Sequence, residues 1–215
     1  MMELQMNIDP DAYLVNTERL RITKLSDKFW KTVKSLENLT DLLLVNCDNV
    51  ANSLSHIKEL NSLEKLCLSG VELENKVSEM GFPRSITELQ IKHVTCDTWQ
   101  GFNGSPNIKK FKYRNLELTD LLIILPKLKG LDEVELEAYD DDELEMIVQI
   151  LTDCPNLSKS KMRLFDLSED SIRNLLRAAA QSSIKIEMEL EDSLPLDKVA
   201  EIAEEVKANL CFIED

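Results

Sequence analysis

His56 and His93 are the only histidines in this chain of 215 residues. His56 falls in NVANSLSHIKEL, a stretch with helical spacing, and His93 closes the short run ITELQIKH. No serine or cysteine nucleophile motif surrounds either, so both read as surface or packing residues rather than proton-transfer groups. The five cysteines are Cys47, Cys67, Cys96, Cys154 and Cys211. They lack the C-x-x-C or C-x-H spacing of a zinc site, and their odd number and wide scatter make no disulfide framework. They are expected to be small buried or half-buried side chains, free as thiols in a reducing compartment. YDDDELE, residues 139–145, gathers acids without the alternating oxygen ligands and central glycine of a calcium loop. A helix N-terminus explains those acids better. Glycine-rich phosphate loops and HExxH are also missing. Catalytic residues, metal ligands and a cofactor are therefore not expected, and an interaction module is the better reading. Trp30 and Trp99 are expected to be packing residues.

The organising signal is a repeat. SLENLTDLLLVNCDN, residues 35–49, holds Leu39, Leu42 and Leu44 in the order apolar, two residues, apolar, one residue, apolar. The same order begins at Leu63 (LEKLCL), Ile86 (ITELQI), Ile108 (IKKFKY) and Leu131 (LDEVEL). Weaker copies begin at Thr17, Leu157 and Ser183, and a final one at Lys207. Successive starts lie 22, 24, 23, 22, 23, 26, 26 and 24 residues apart. A fixed period in the low twenties marks a solenoid in which each unit contributes one strand and a return path. Within each strand the period of two separates core positions from exposed ones.

This spacing resembles the leucine-rich repeat, whose strand segment reads L-x-x-L-x-L. GSPNIKKFKY and DCPNLSKSKM place Pro-Asn-apolar before the strand, and Cys47 stands three residues after Leu44. Both details resemble the cysteine-containing repeats of F-box substrate adaptors. At the position of Cys47 the other repeats carry Leu25, Val71, Val94, Leu116, Tyr139 and Phe165. The resemblance implies an α/β leucine-rich repeat solenoid: a curved parallel β-sheet on the concave side, with helices and loops on the convex side. It also implies a right-handed coil. Residues 1–16 are expected to form an N-terminal cap or edge segment. Residues 17–215 are expected to form about eight repeats, closed by a cap made of the acidic helix near 195–208 and the last strand.

Return segments are uneven. In NVANSLSHIKEL, Leu54, Ile57 and Leu60 share one face of a short helix. Thr119 is placed to cap the helix DLLIILPKL, which Pro126 limits. DDELEMIVQILTDCP turns Leu144, Ile147 and Leu151 inward, and helices are also expected after Ser168 and over LPLDKVAEIAEEVKANL. VTCDTWQGFNGSP reads as an irregular loop. The sequons at Asn38, Asn103 and Asn156 read as chance matches.

Charge is divided along the chain. Residues 1–130 hold 17 basic and 17 acidic residues, and residues 131–215 hold 8 and 23, so the net charge of −15 belongs to the C-terminal part. That balance disfavours nucleic acid, which is held by cations on phosphate, and anionic membranes. No apolar run approaches the ~18 residues of a membrane span, and MMELQMNIDPD lacks the layout of a signal peptide. The outward strand positions are most charged over three successive repeats: Lys110, Lys112, Arg114; Glu133, Glu135, Glu137; Lys159, Lys161, Arg163. These nine are the candidate partner-binding residues. The expected partner is a protein with a basic segment drawn to the three glutamates. The resemblance implies an intracellular adaptor in cytoplasm or nucleus, whose partner is a substrate for ubiquitination. A stand-alone scaffold or an immune-receptor-type repeat domain is the alternative.

Overall fold

The computed structural model describes residues 2–4, 17–23, 30, 33, 35–47, 50, 54–74, 77–114, 118–191 and 194–213, with 2–4, 54 and 118 by backbone alone. Its strands are β1 (Met2–Leu4), β2 (Arg19–Ile22), β3 (Asp41–Val45), β4 (Lys65–Ser69) and β5 (Glu88–Lys92). They continue as β6 (Lys110–Arg114), β7 (Glu133–Ala138), β8 (Lys159–Phe165), β9 (Lys185–Glu191) and β10 (Asn209–Phe212). All ten form one sheet in the order of the sequence, each parallel to its neighbour. A parallel sheet whose spatial order equals its chain order is a solenoid: each turn of chain lays one strand beside the last. The fold is an α/β leucine-rich repeat solenoid. Of the expected N-terminal segment only Met2–Leu4 is described, as the edge strand; residues 5–16, Leu25 and Leu116 lie outside the described residues.

Register is fixed by the core. Leu20, Leu42, Leu66, Leu89, Phe111, Val134, Ser160, Ile186 and Leu210 stack as one row across the sheet. A second row holds Ile22, Leu44, Leu68, Ile91 and Tyr113. The expected core residues Leu42, Leu44, Leu66, Leu68, Leu89, Ile91, Val134 and Leu136 are all buried in one cluster. Each buried aliphatic side chain contributes about 1.5–3 kcal/mol by leaving water. A one-residue slip would turn the whole row outward, so the rows hold one another in register.

Each turn is also clipped to the one before it by the backbone. Two successive amides donate to a single carbonyl of the preceding turn: Thr40 and Asp41 to Glu18, Glu64 and Lys65 to Thr40, Thr87 and Glu88 to Glu64, Lys109 and Lys110 to Thr87. The Pro-Asn motif has the same use. Asn107 Nδ2 donates to Arg84 O at 2.9 Å and Asn156 Nδ2 to Lys129 O at 2.8 Å. Cys47 Sγ lies 3.2 Å from Ile22 O, again one turn back. Directly after a strand the chain turns through positive φ at Asn46, Gly70, His93 and Asp166. At Gly70 φ is +60°, and a Cβ there would lie 2.0 Å from Asn46 Oδ1, so a side chain would have to displace the Asn46 amide,.

The return segments form α1 (Leu54–Ile57), α2 (Leu118–Ile124), α3 (Asp141–Asp153), α4 (Glu169–Ser182) and α5 (Leu196–Val206). Ile57 and Leu60 are buried, while Leu60 falls beyond the single helical turn of α1. Thr119 sits inside α2 rather than ahead of it, so it is not the cap. Pro126 lies within the 3-10 turn Leu125–Lys127 that ends this segment. Over α3, Ile150 joins the expected Leu144, Ile147 and Leu151 in the core. The segment from Val94 to Pro106 makes no helix; Trp99 and Phe102 fill its interior, edge to face at 5.8 Å. Trp30 is buried and tilted against His56, with ring centroids 5.8 Å apart.

Candidate functional site

Helices and loops cover one side of the core. The other, concave side presents the alternate residues of the strands, and on β3 and β5 to β8 these are half-buried between neighbouring strands rather than sealed. The nine candidate residues occupy these positions on β6, β7 and β8, and the sheet brings them together. Register places Lys110 opposite Glu133 and Glu133 opposite Lys159; Lys112, Glu135 and Lys161 line up in the next row.

Ion pairs knit these rows. Lys110 Nζ reaches Glu133 at 2.8 Å and Lys112 Nζ reaches Glu135 at 3.1 Å. Arg114 bridges two successive outward positions of β7, with Nη2 2.9 Å from Glu135 and Nε 3.4 Å from Glu137. Arg163 lies 3.9 Å from Glu137 and 3.0 Å from Glu189 on β9. Tyr139 donates its hydroxyl to Glu137 at 3.0 Å, and its ring stacks on Phe165 at 4.7 Å. Burial alone would push the Glu135 carboxyl up, but hydrogen bonds from Lys112 and Arg114 outweigh it and hold the group below the ordinary carboxylate range,. Lys110 behaves in mirror fashion: burial opposes its charge, and Glu133 keeps its pKa raised.

Strand β9 continues the lattice with a break. A strict alternation would place an acid opposite Lys159, yet its partner is Lys185. Both lysines turn to Glu187, each at 2.9 Å, and Lys161 stands 3.6 Å from the same carboxylate. Hydrogen bonds from Lys159 and Lys185 lower the pKa of Glu187 to about 2. On the far side β10 offers Asn209 opposite Lys185 and Cys211 opposite Glu187, neither an acid.

Strands β2 to β5 are different. Arg19–Asp41 at 2.7 Å and Lys65–Glu88 at 3.5 Å pair along the first row. The middle positions of β3, β4 and β5 are Leu43, Cys67 and Gln90. Burial pushes the Cys67 thiol up to about 11, so it is protonated and unreactive at neutral pH,. Cysteines 47, 67, 96, 154 and 211 are all free. Cys211 departs from the expected half-buried setting: it is exposed, and among the described residues β10 has one strand neighbour only.

The two faces differ in sign. Among the described residues the concave positions of β2–β9 carry 11 basic side chains and 8 acidic ones. The described residues hold 20 basic and 31 acidic side chains in all, which leaves 9 and 23 for everything else among them. Among the described residues from 131 onward, only six of 20 acids are concave, beside four of eight bases. The acidic excess lies instead on the helical side and the loops. There it includes Asp140, Asp141, Asp142 and Glu143 at the start of α3, and Glu201, Glu204 and Glu205 on α5. Linear charge counting could not reveal this, because strand and helix residues alternate along the chain.

No protein-family model matches the sequence, and no curated protein is significantly similar to it. Among solved structures, a protein from Bacteroides fragilis is 12% identical with a TM-score of 0.48, over 88% of this chain and 71% of that one. An internalin from Listeria monocytogenes is 13% identical with a TM-score of 0.46, over 90% of this chain and 51% of its own. The leucine-rich repeat domain of APL1B is 12% identical with a TM-score of 0.36, over 89% and 59%. The chain thus spans about half the length of the internalin. The fold assignment rests on strand order, register and repeat spacing. Among the described residues no helix is long and apolar enough to cross a membrane, and none of the His, Cys, Asp and Glu groups forms a metal cluster.

Proposed function

We propose that this chain is a non-catalytic protein-interaction module whose partner docks on the concave face over β6, β7 and β8. One observation carries the reading: nine long charged side chains, Lys110, Lys112, Arg114, Glu133, Glu135, Glu137, Lys159, Lys161 and Arg163, line a surface that the hydrophobic core does not require to be charged. Half-exposed ion pairs contribute only about 0–1 kcal/mol each. Exchanging them for pairs with a partner therefore costs little, while the rigid sheet holds the charges in place before binding. A basic segment, the partner suggested by net charge alone, would have to displace lysines and arginines already seated on the three glutamates. In its finer form the module is the substrate-recognition part of an intracellular, F-box-like ubiquitin-ligase adaptor. The second form, a stand-alone scaffold or immune-receptor-type repeat domain, uses the same face without a ligase.

The test is affinity capture followed by measurement with the captured partner. Changing Glu133, Glu135 and Glu137 together to Gln preserves size and removes three charges. A folded triple variant is expected to bind with altered rate, affinity and salt dependence. Unchanged values for all three would remove the concave face from the reading. Co-capture of a ubiquitin-ligase core separates the adaptor from the scaffold.

A further inference from the structure

The break in the lattice at β8 and β9 has a consequence for partner chemistry. Lys159 and Lys185 face each other across adjacent strands, an arrangement that destabilises a sheet when left uncompensated. With Lys161 they share one carboxylate, Glu187, at 2.9, 3.6 and 2.9 Å. β10 supplies Asn209 and Cys211 beside them and no acid. Lys161 also stands 3.9 Å from Glu133, which Lys110 already holds at 2.8 Å, so four ammonium groups face two carboxylates and leave a local excess of positive charge. It lies on the face that is basic on balance, in a protein whose net charge is −15.

We infer that this corner receives an acidic segment of the partner protein, with carboxylates entering between Lys159, Lys161 and Lys185. This rests on the concave docking reading and gives it a sign. The arrangement suits separate side-chain carboxylates: the lysines stand on strands about 4.8 Å apart, and a glutamate remains between them. A nucleic acid backbone is poorly matched, since its continuous phosphates would meet Glu133, Glu187 and Glu189 as well as the acidic surroundings. Long-range repulsion between this chain, with its net charge of −15, and an acidic segment gives a further signature. Screening shortens from ~30 Å to ~8 Å as salt rises from 0.01 M to 0.15 M. Association should quicken over that range, where a basic partner would slow.

The experiment uses the whole chain and three fluorescent probes: an eight-residue peptide of alternating glutamate and serine, its lysine counterpart, and single-stranded oligothymidylate. The acidic peptide is expected to bind, and to bind at least tenfold more weakly to Lys159→Gln/Lys185→Gln. Lys127→Gln/Lys129→Gln makes the same charge change at exposed positions on the return side and should leave binding unaltered. Circular dichroism of both variants checks folding. No binding of the acidic peptide, equal binding to both double variants, or tighter concave binding of the lysine peptide or the oligonucleotide would each overturn the inference. The docking reading would survive any of these if the natural partner still loses affinity in the Glu133/Glu135/Glu137 variant.

Discussion

Strands β2 to β5 and β6 to β9 belong to one sheet, share one core pattern and differ on the side that the core does not see. In the first group successive strands begin 22 to 24 residues apart, and the middle concave positions of β3 to β5 are Leu43, Cys67 and Gln90. In the second group the spacing is 23 from β6 to β7 and 26 from there to β9, the later return paths are the 13- and 14-residue helices α3 and α4, and every middle position from Lys112 to Glu187 is charged. Stacking demands the same thing of both groups: aliphatic rows inside and carbonyl clips between turns. What varies between them is free of that demand. The half with the better-capped, more regular convex side is also the half with the charged lattice, so the candidate site sits on the more firmly built part of the solenoid.

The largest effects should be blind to this division. Leu68→Ala in β4 and Leu136→Ala in β7 each remove a fully packed core side chain and should cost about 2–5 kcal/mol in denaturant unfolding. A negligible loss at either position would break the claim that both halves share one core. Next comes a flaw in the second half. Ser160 occupies the inward row of β8, fully buried, and its hydroxyl meets no partner among the described residues. An orphaned buried polar group costs about 1–3 kcal/mol, so Ser160→Ala should raise stability, by ~1 kcal/mol after the lost packing. A fall in melting temperature would mean that the hydroxyl is satisfied.

Caps sharpen the contrast further. Asp140 accepts the Glu143 amide at 2.8 Å and Ser168 accepts that of Ser171 at 3.3 Å. Asp140→Ala and Ser168→Ala should each lose about 1 kcal/mol. Hydrogen exchange should rise over α3 or α4 respectively and stay unchanged over β3 and β4. The smallest effect is one of pH. The Glu187 pKa, about 2 in the fold against an ordinary 4.5, is depressed. Its contribution is therefore complete above ~4.5 and is lost as pH falls from there through ~2. Acid titration of stability should be shallower in Lys159→Gln/Lys185→Gln, which removes both hydrogen-bond donors. An identical slope would show that Glu187 is not held by these lysines.

Much of this was legible in the sequence because the core repeats its demand at every turn. Leu42, Leu66 and Leu89 announce their row by spacing alone, and the concave positions follow from the strand period. The ends of return segments were harder. Thr119 has the chemistry of a cap for a helix from Asp120, but α2 begins at Leu118, and a shift of two residues changes a cap into an interior position. The exposure of Cys211 depends on the place of β10 at the edge of the described sheet, which no local pattern encodes. The sign of the faces was hidden for a related reason. Net charge in residues 131–215 is a property of the segment, whereas the partner meets a surface. Only the fold sorts Glu187 to one side and Glu204 to the other.

The most direct test of concave docking is to ask which side of the second half touches the partner. A photo-crosslinking amino acid placed at Lys161, in the middle of the charged lattice, is compared with one at Arg177, on the exposed side of α4. With the affinity-captured partner, crosslinking is expected from position 161, abolished by excess unlabelled protein, and absent from position 177. Efficient crosslinking from position 177 with none from position 161 would contradict concave docking and move the partner to the acidic helices.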